Sequence, residues 1–349
     1  MFADLAKRSP RRRLVLEFTP HQVLAAEISR PHRGRLEVEA AEEFDRDDEA
    51  GLNKWIESRA WTRVICGLVP RRGIVQRENL EINRLGESDY LSNIVEEQQR
   101  GRFLTATPFK VVNPDAWTLR TLSAVDGSPL APTNQTQPAL ICGIANDELQ
   151  EVQQRMVDER LIPERIEAGL LSLFSALYGH MERRGGLRAV AVVVLHEAFT
   201  AVYILGKEGV HTPNPVFHGI GSIVELARKE LNVRDDLEAR RLLEAADPSA
   251  LKFADRLVRR VARDLKPVMD SYEMTTGQPL DEVFCAYLPP KLTWLAEPLA
   301  RVTGRVPMAI NCNEWLTTAR LQMPHSNSFG SQWLGALNLM ASLNESGSG

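Results

Sequence analysis

The sequence is poor in the features that most often announce a function. It has four cysteines, Cys66, Cys142, Cys285 and Cys312, with no CxxC spacing among them. That usage speaks against a disulfide-stapled secreted scaffold and a cysteine-built zinc site. Three of the four fall in apolar, strand-like runs, where a free thiol behaves as a small hydrophobe. There is no basic surplus either, and a formal net charge of −4 gives no reason to expect nucleic acid. No apolar run reaches spanning length: the longest, Ala189 to Leu205, is rich in β-branched residues and broken by His196 and Glu197. Nothing apolar follows the basic opening (Lys7, Arg8, Arg11 to Arg13) for long enough to make a signal peptide, so the opening reads as a solvated tail or as a contact for anionic lipid or an acidic partner. His180, His211, His218 and His325 show no metal-ligand spacing, and Ser172, Ser175 and Ser222 lack a G-x-S-x-G context.

What remains is a chain of 349 residues, 44% hydrophobic and 25% charged, the composition of a soluble globular protein too long for one core. Residues Leu14 to Ile28 (LVLEFTPHQVLAAEI) read as two strands folded about a Thr19-Pro20-His21-Gln22 turn. Ala189 to Leu205 repeats the pattern with its turn near His196-Glu197. A third strand over Arg35–Phe44, a helix with Leu52, Trp55 and Ile56 on one face, and a buried strand over Arg63–Val69 follow the first hairpin. Gly73 to Ile82 predicts a strand, Ser88 to Arg100 a helix, Phe109–Val112 and Thr118–Leu122 strands, and Asp126 to Pro138 a surface loop. Ala139 to Ala145 predicts a strand, and Asp147 with Gln150 a capping box for the helix after it. Ile166 to Met181 predicts a helix apolar on most faces, and Gly185-Gly186 a hinge. Beyond the hinge, Gly219 and Gly221 precede a helix, Arg234 to Ala246 predicts another, and Ser249 to Tyr272 a long one bent at Pro267. Strands at Val283–Ala286 and Val306–Ile310 and helices at Lys291–Val302 and Ser328–Leu343 complete the expectation.

The order of these elements, with the strings GIVQRENLEINRLGESDYLSNIVEEQQRGRF, ALICGIANDELQEVQQRMVDERLIPERIEAGLLSLFSAL and VFHGIGSIVELARKEL, resembles the PilM family of actin-like (FtsA-type) proteins of type IV pilus assembly, related to the cytoplasmic part of the secretion protein GspL. The resemblance implies an α/β chain with a duplicated actin-like ATPase (RNase H-like) fold, each half built on a mixed five-stranded sheet. It implies a first domain over residues 1–186, with a small α/β insertion at about 83–161 and a C-terminal helix at 318–345 packed back on it. The second domain covers 187–317, with an outer subdomain at about 225–265.

The same resemblance marks where this chain departs from a nucleotide site. Glu17 stands where the family's first phosphate turn has Asp, Thr19 where it has Gly, and Leu24 where it has Lys. In the second turn the Asp and Gly positions fall at about Val194 and His196, with Gly219 and Gly221 in the following turn. Tyr287-Leu288 stands at the adenosine Gly-Gly. Glycines let backbone N–H groups reach phosphate oxygens, and the acids hold Mg²⁺ or its waters. The expectation is weak or absent ATP/Mg binding, no cofactor and no catalysis. His196-Glu197 reads as a tolerated polar turn rather than an acid–base pair. In its place the resemblance implies an inert scaffold, peripheral at the cytoplasmic face of the inner membrane, that binds the N-terminal tail of a PilN-like bitopic membrane protein. Arg71, Arg72 and Arg77 are the candidate contacts, solvated arginines being the competing reading. Motor components, other platform proteins and self-association stay open as further partners. The alternatives are an ATP-dependent switch or kinase with rebuilt phosphate turns, and a division protein of the FtsA kind, disfavoured because NESGSG after Leu343 has no amphipathic membrane helix.

Overall fold

The computed structural model describes residues 12–30, 35–60, 62–71, 73–87, 89–95, 116–131, 133–186, 188–246, 253–323 and 329–345. The expected strand at Phe109–Val112, the basic opening up to Arg11, and Arg72 lie outside them.

The first sheet begins with β1 (Arg12–Phe18), β2 (Gln22–Ser29) and β3 (Leu36–Asp45) as an antiparallel meander, with β1 also pairing in parallel with β4 (Arg63–Leu68). The edge beyond β4 is β8 (Ile162–Ala168). The second sheet repeats the order: β9 (Ala189–Leu195), β10 (Thr200–Gly206) and β11 (Gly209–His211) are antiparallel, while β12 (Leu280–Ala286) and the short β13 (Val306–Pro307) continue in parallel beyond β9. One added strand, β14 (Leu321–Gln322), pairs with β3 and makes the first sheet six-stranded. A third sheet, in the order β5 (Gly73–Glu81), β7 (Thr136–Ala145), β6 (Trp117–Ser123), stands apart from both.

Strand alternation sends side chains to both faces of each large sheet, and helices cover both. On the outer face of the first, Leu14, Leu16 and Ala25 pack with α1 (Glu49–Glu57) and α2 (Asn146–Asp158) through Leu52, Ile56, Val152 and Met156. On the outer face of the second, Ala191, Val193 and Ile204 meet α4 (Ile220–Leu231), α5 (Asp236–Ala245), α6 (Ala254–Thr276) and α7 (Ala296–Thr303). The two inner faces share one core, filled by α3 (Gly169–Arg183) and the last helix, α9 (Leu334–Glu345), which follows α8 (Cys312–Thr318). Both α3 and α9 are apolar nearly all round because each is packed on several sides.

Several expectations are corrected. Ile166 to Ala168 is the end of β8, and the helix starts at Gly169. An edge strand with an exposed face carries Glu and Arg between apolar residues, so its pattern merged with the helix that follows. No capping box forms at Asp147 and Gln150: the helix begins at Asn146 with Ala145 as its cap, and Asp147 bonds the adjacent Glu148 N–H. The helix α6 ends at Thr276 rather than Tyr272, Pro290–Leu295 is 3₁₀-helical before α7, and the strand at Val306 stops at Pro307.

Candidate functional site

The parallel strands β1, β4, β8, β9 and β12 place their carboxyl ends together, which is where open α/β sheets hold ligands. Glu17 is the last residue but one of β1, Val194 lies near the end of β9 and pairs with Ala286, and Tyr287 follows β12. Glu17 is fully buried and opposite Leu24 in register. Leu24, Val194 and Tyr287 belong to the shared core, whereas Leu288 turns to the outer face of the second sheet.

Across this junction Tyr287 Oη donates to Glu17 Oε1 at 3.2 Å and lies at the same distance from the Gly169 carbonyl. Tyr287 holds φ +53°, the left-handed conformation that glycine adopts without penalty and an L side chain at a cost of about 1–2 kcal/mol. That backbone turn aims the phenol at β1. Glu17 also faces the start of α9, where a Cβ on Gly335 would collide with its Oε1. Burial pushes the Glu17 carboxyl up to about 8, even though Tyr287 and the Ala336 N–H both favour its charged form. Its Oε2 has no hydrogen-bond partner. At neutral pH the group is therefore a neutral acid.

The two hairpin turns are closed on themselves. Thr19 N–H donates to the Gln22 carbonyl at 2.9 Å, and Gln22 N–H to Thr19 Oγ1 at 2.9 Å. In the second half, Ile220 N–H donates to the His196 carbonyl and Gly221 N–H to the Glu197 carbonyl, both at 2.9 Å. The N-terminal N–H groups of α4 thus grip the neighbouring turn, and Gly219 is required because a Cβ there would strike the His196 carbonyl. His196 stacks on Phe199 at 4.2 Å and is held down to about 4, by burial first and then by His21. His21 is lowered as well, by burial first and then by Arg240, and its Nε2 is buried without a partner. Among the described residues no group of three or more His, Cys, Asp or Glu could hold a metal ion.

The arginines separate. The Arg77 guanidinium reaches the carbonyls of Glu208 at 3.0 Å and Val210 at 3.1 Å, and its backbone N–H donates to Thr212 Oγ1. With Val210 N–H on the Ala124 carbonyl, this latches the third sheet to the β10–β11 hairpin. Arg71 is exposed, with its backbone N–H on Glu148. A groove of about 990 Å³ lies between β6 and β8, walled by Leu122, Ile144, Leu149 and Leu171. Among the described residues no strand pairs with the outer edge of either β6 or β8. Its walls come from four separated segments, so no local motif could have marked it.

Two sheets of the same order, each a three-strand meander continued by parallel strands and packed about shared central helices, define the actin-like ATPase fold. Among solved structures the chain is similar to one described as a PilM-PilN type IV pilus biogenesis complex, with a TM-score of 0.67 at 14% identity over 95% of this chain and 98% of that one. At that identity the likeness is one of fold. Weaker similarity, with a TM-score of 0.42 in each case, extends to two more structures. One is the cytoplasmic domain of EpsL, an inner membrane component of the type II secretion system of Vibrio cholerae (11% identity, 95% of each chain). The other is a Bacteroides thetaiotaomicron protein with an actin-like ATPase fold and unknown function (12% identity, 87% and 92%). No protein-family model matches the sequence, and no curated protein matches it.

Proposed function

We propose that the chain is a non-catalytic scaffold of a type IV pilus or type II secretion-like assembly platform, and that its β6–β8 groove holds the extended tail of a PilN-like membrane protein. The observation that carries the reading is the Tyr287–Glu17 contact. A magnesium triphosphate needs an ionised acid and unengaged N–H groups at its turns. Here the acid is neutral and covered by a phenol, and the N–H groups of Thr19, Gln22, His196, Ile220 and Gly221 already have acceptors. These residues do not fit that ligand.

The groove supports the second part. Two strand edges border it, and strand addition draws affinity from main-chain hydrogen bonds and specificity from pockets for alternate side chains. The likeness to a chain solved together with PilN points to the same kind of partner. Among the described residues no helix is long and apolar enough to cross a membrane, so placement at the inner face would follow from that partner. The reading keeps the division of the chain near residue 186. Calorimetry with the tail of a bitopic protein encoded beside this chain tests it. Binding that Leu149→Arg weakens by about tenfold or more supports the reading, and no binding to the parent overturns it.

A further inference from the structure

A second cavity adjoins the groove. It is a crevice of about 170 Å³ on the β5 side of the third sheet, and Ile144 and Ala168 line both spaces. Its walls come from both halves of the chain: Val69, Ile74 and Leu170 from the first, Val194, Phe199 and Tyr203 from the second. The size matches the ~150 Å³ apolar cavity that accepts a benzene ring. Its polar lining offers little to an anion. His196 is a neutral imidazole stacked on Phe199, the Gln76 amide donates to Glu78, and Arg71 stands at the exposed rim.

We infer that the tail held in the groove continues past Ile144 and Ala168 and lodges an apolar, uncharged side chain in the crevice, so that one peptide touches both halves. This rests on the groove reading above. The two spaces meet at those walls, so the crevice lies next to the path of a strand leaving the groove. The latch of Arg77 and Ala124 on the β10–β11 hairpin holds the second half against the third sheet beside the crevice. A wall fixed before binding lowers the ordering cost of the bound state. The peptide then bridges the two halves through wall residues of each.

The test uses the full chain and a fluorescent synthetic tail of the neighbouring bitopic protein, in a full form and in one shortened at its free end. Ala201 on β10 also lines the crevice, and Ala201→Trp, which fills it, is expected to weaken the full form by about tenfold while leaving the shortened form unchanged. A photo-crosslinking phenylalanine analogue in place of Phe199 is expected to capture the full form only. Equal binding of both forms to Ala201→Trp and parent, without crosslinking at position 199, overturns the inference and leaves the groove reading intact. Failure of both forms to bind the parent removes the groove reading and this inference together. The crosslinking arm decides the matter even where the tryptophan variant folds poorly.

Discussion

Tyr287 Oη lies 3.2 Å from Glu17 Oε1, joining two residues 270 positions apart and from opposite halves of the chain. Among the described residues the phenol is the one side-chain donor to that carboxyl, and it also lies against the Gly169 carbonyl at the start of α3. Tyr287→Phe keeps the packing and removes the donor, leaving two buried acceptors short of a partner. The expected loss is about 1–3 kcal/mol, read as a lower denaturant midpoint with an unchanged slope. Tyr287→Gly should cost more, because relief of the left-handed strain, about 1–2 kcal/mol, does not offset an emptied aromatic site worth about 3–5 kcal/mol.

Two buried groups with opposite shifts, Glu17 and His196, give opposing slopes to the pH dependence, and His21 adds to that of His196. Glu17 moves from its ordinary 4.5 to about 8 on folding, so between those values the unfolded chain has released a proton that the folded chain keeps. Stability therefore falls as pH rises, by about 1.4 kcal/mol per unit. His196 moves from 6.5 to about 4, so in that window the unfolded chain holds a proton that the folded chain refuses, and stability rises with pH. The two slopes oppose each other between 4.5 and 6.5, which leaves a net decline from 6.5 to about 8. Glu17→Gln should abolish that decline in urea midpoints measured across the range. A variant that declines like the parent would assign the slope elsewhere.

Arg77→Ala should loosen the latch between the third sheet and the second half. Two hydrogen bonds from a half-buried guanidinium are lost, at about 1–2 kcal/mol after allowance for solvent screening. Hydrogen exchange should quicken at Gly209 to His211, and less so in the core strand β9.

Gly209 offers a sharper probe of the same contact. Its φ is +90° and a Cβ there would run into the Ala124 carbonyl, so Gly209→Ala should cost about 2–4 kcal/mol. Gly277 has a comparable φ of +65° with nothing within 4 Å, and its alanine variant should lose only about 1–2 kcal/mol. Thermal unfolding of the pair separates collision from backbone strain.

Much of the fold was legible because the two hairpins carry their own signal. Leu14 to Ile28 and Ala189 to Leu205 are paired apolar runs about polar turns, and each opens a sheet of the same order. The short strands β11 and β14 and the helix α8 were not, since two or three residues of strand leave no period to read. The departures at Glu17, Val194 and Tyr287 could be seen as residue types, but not what they do together. A contact across 270 positions, the neutral state of Glu17 and the meeting of its carboxyl with the start of α9 exist only once the chain is folded. Arg77 shows a related limit: an arginine on a strand edge looks the same in sequence whether it faces a partner or the chain's own carbonyls, and here it reaches the carbonyls of Glu208 and Val210.

The central claim is that the chain's own side chains have closed the place where a nucleotide would sit. Titration calorimetry of the intact protein with ATP and Mg²⁺ tests it most directly. The account predicts no stoichiometric binding tighter than tens of micromolar, about 6 kcal/mol. A saturable heat of binding at one site per chain, tighter than that and lost on removing Mg²⁺, would contradict it.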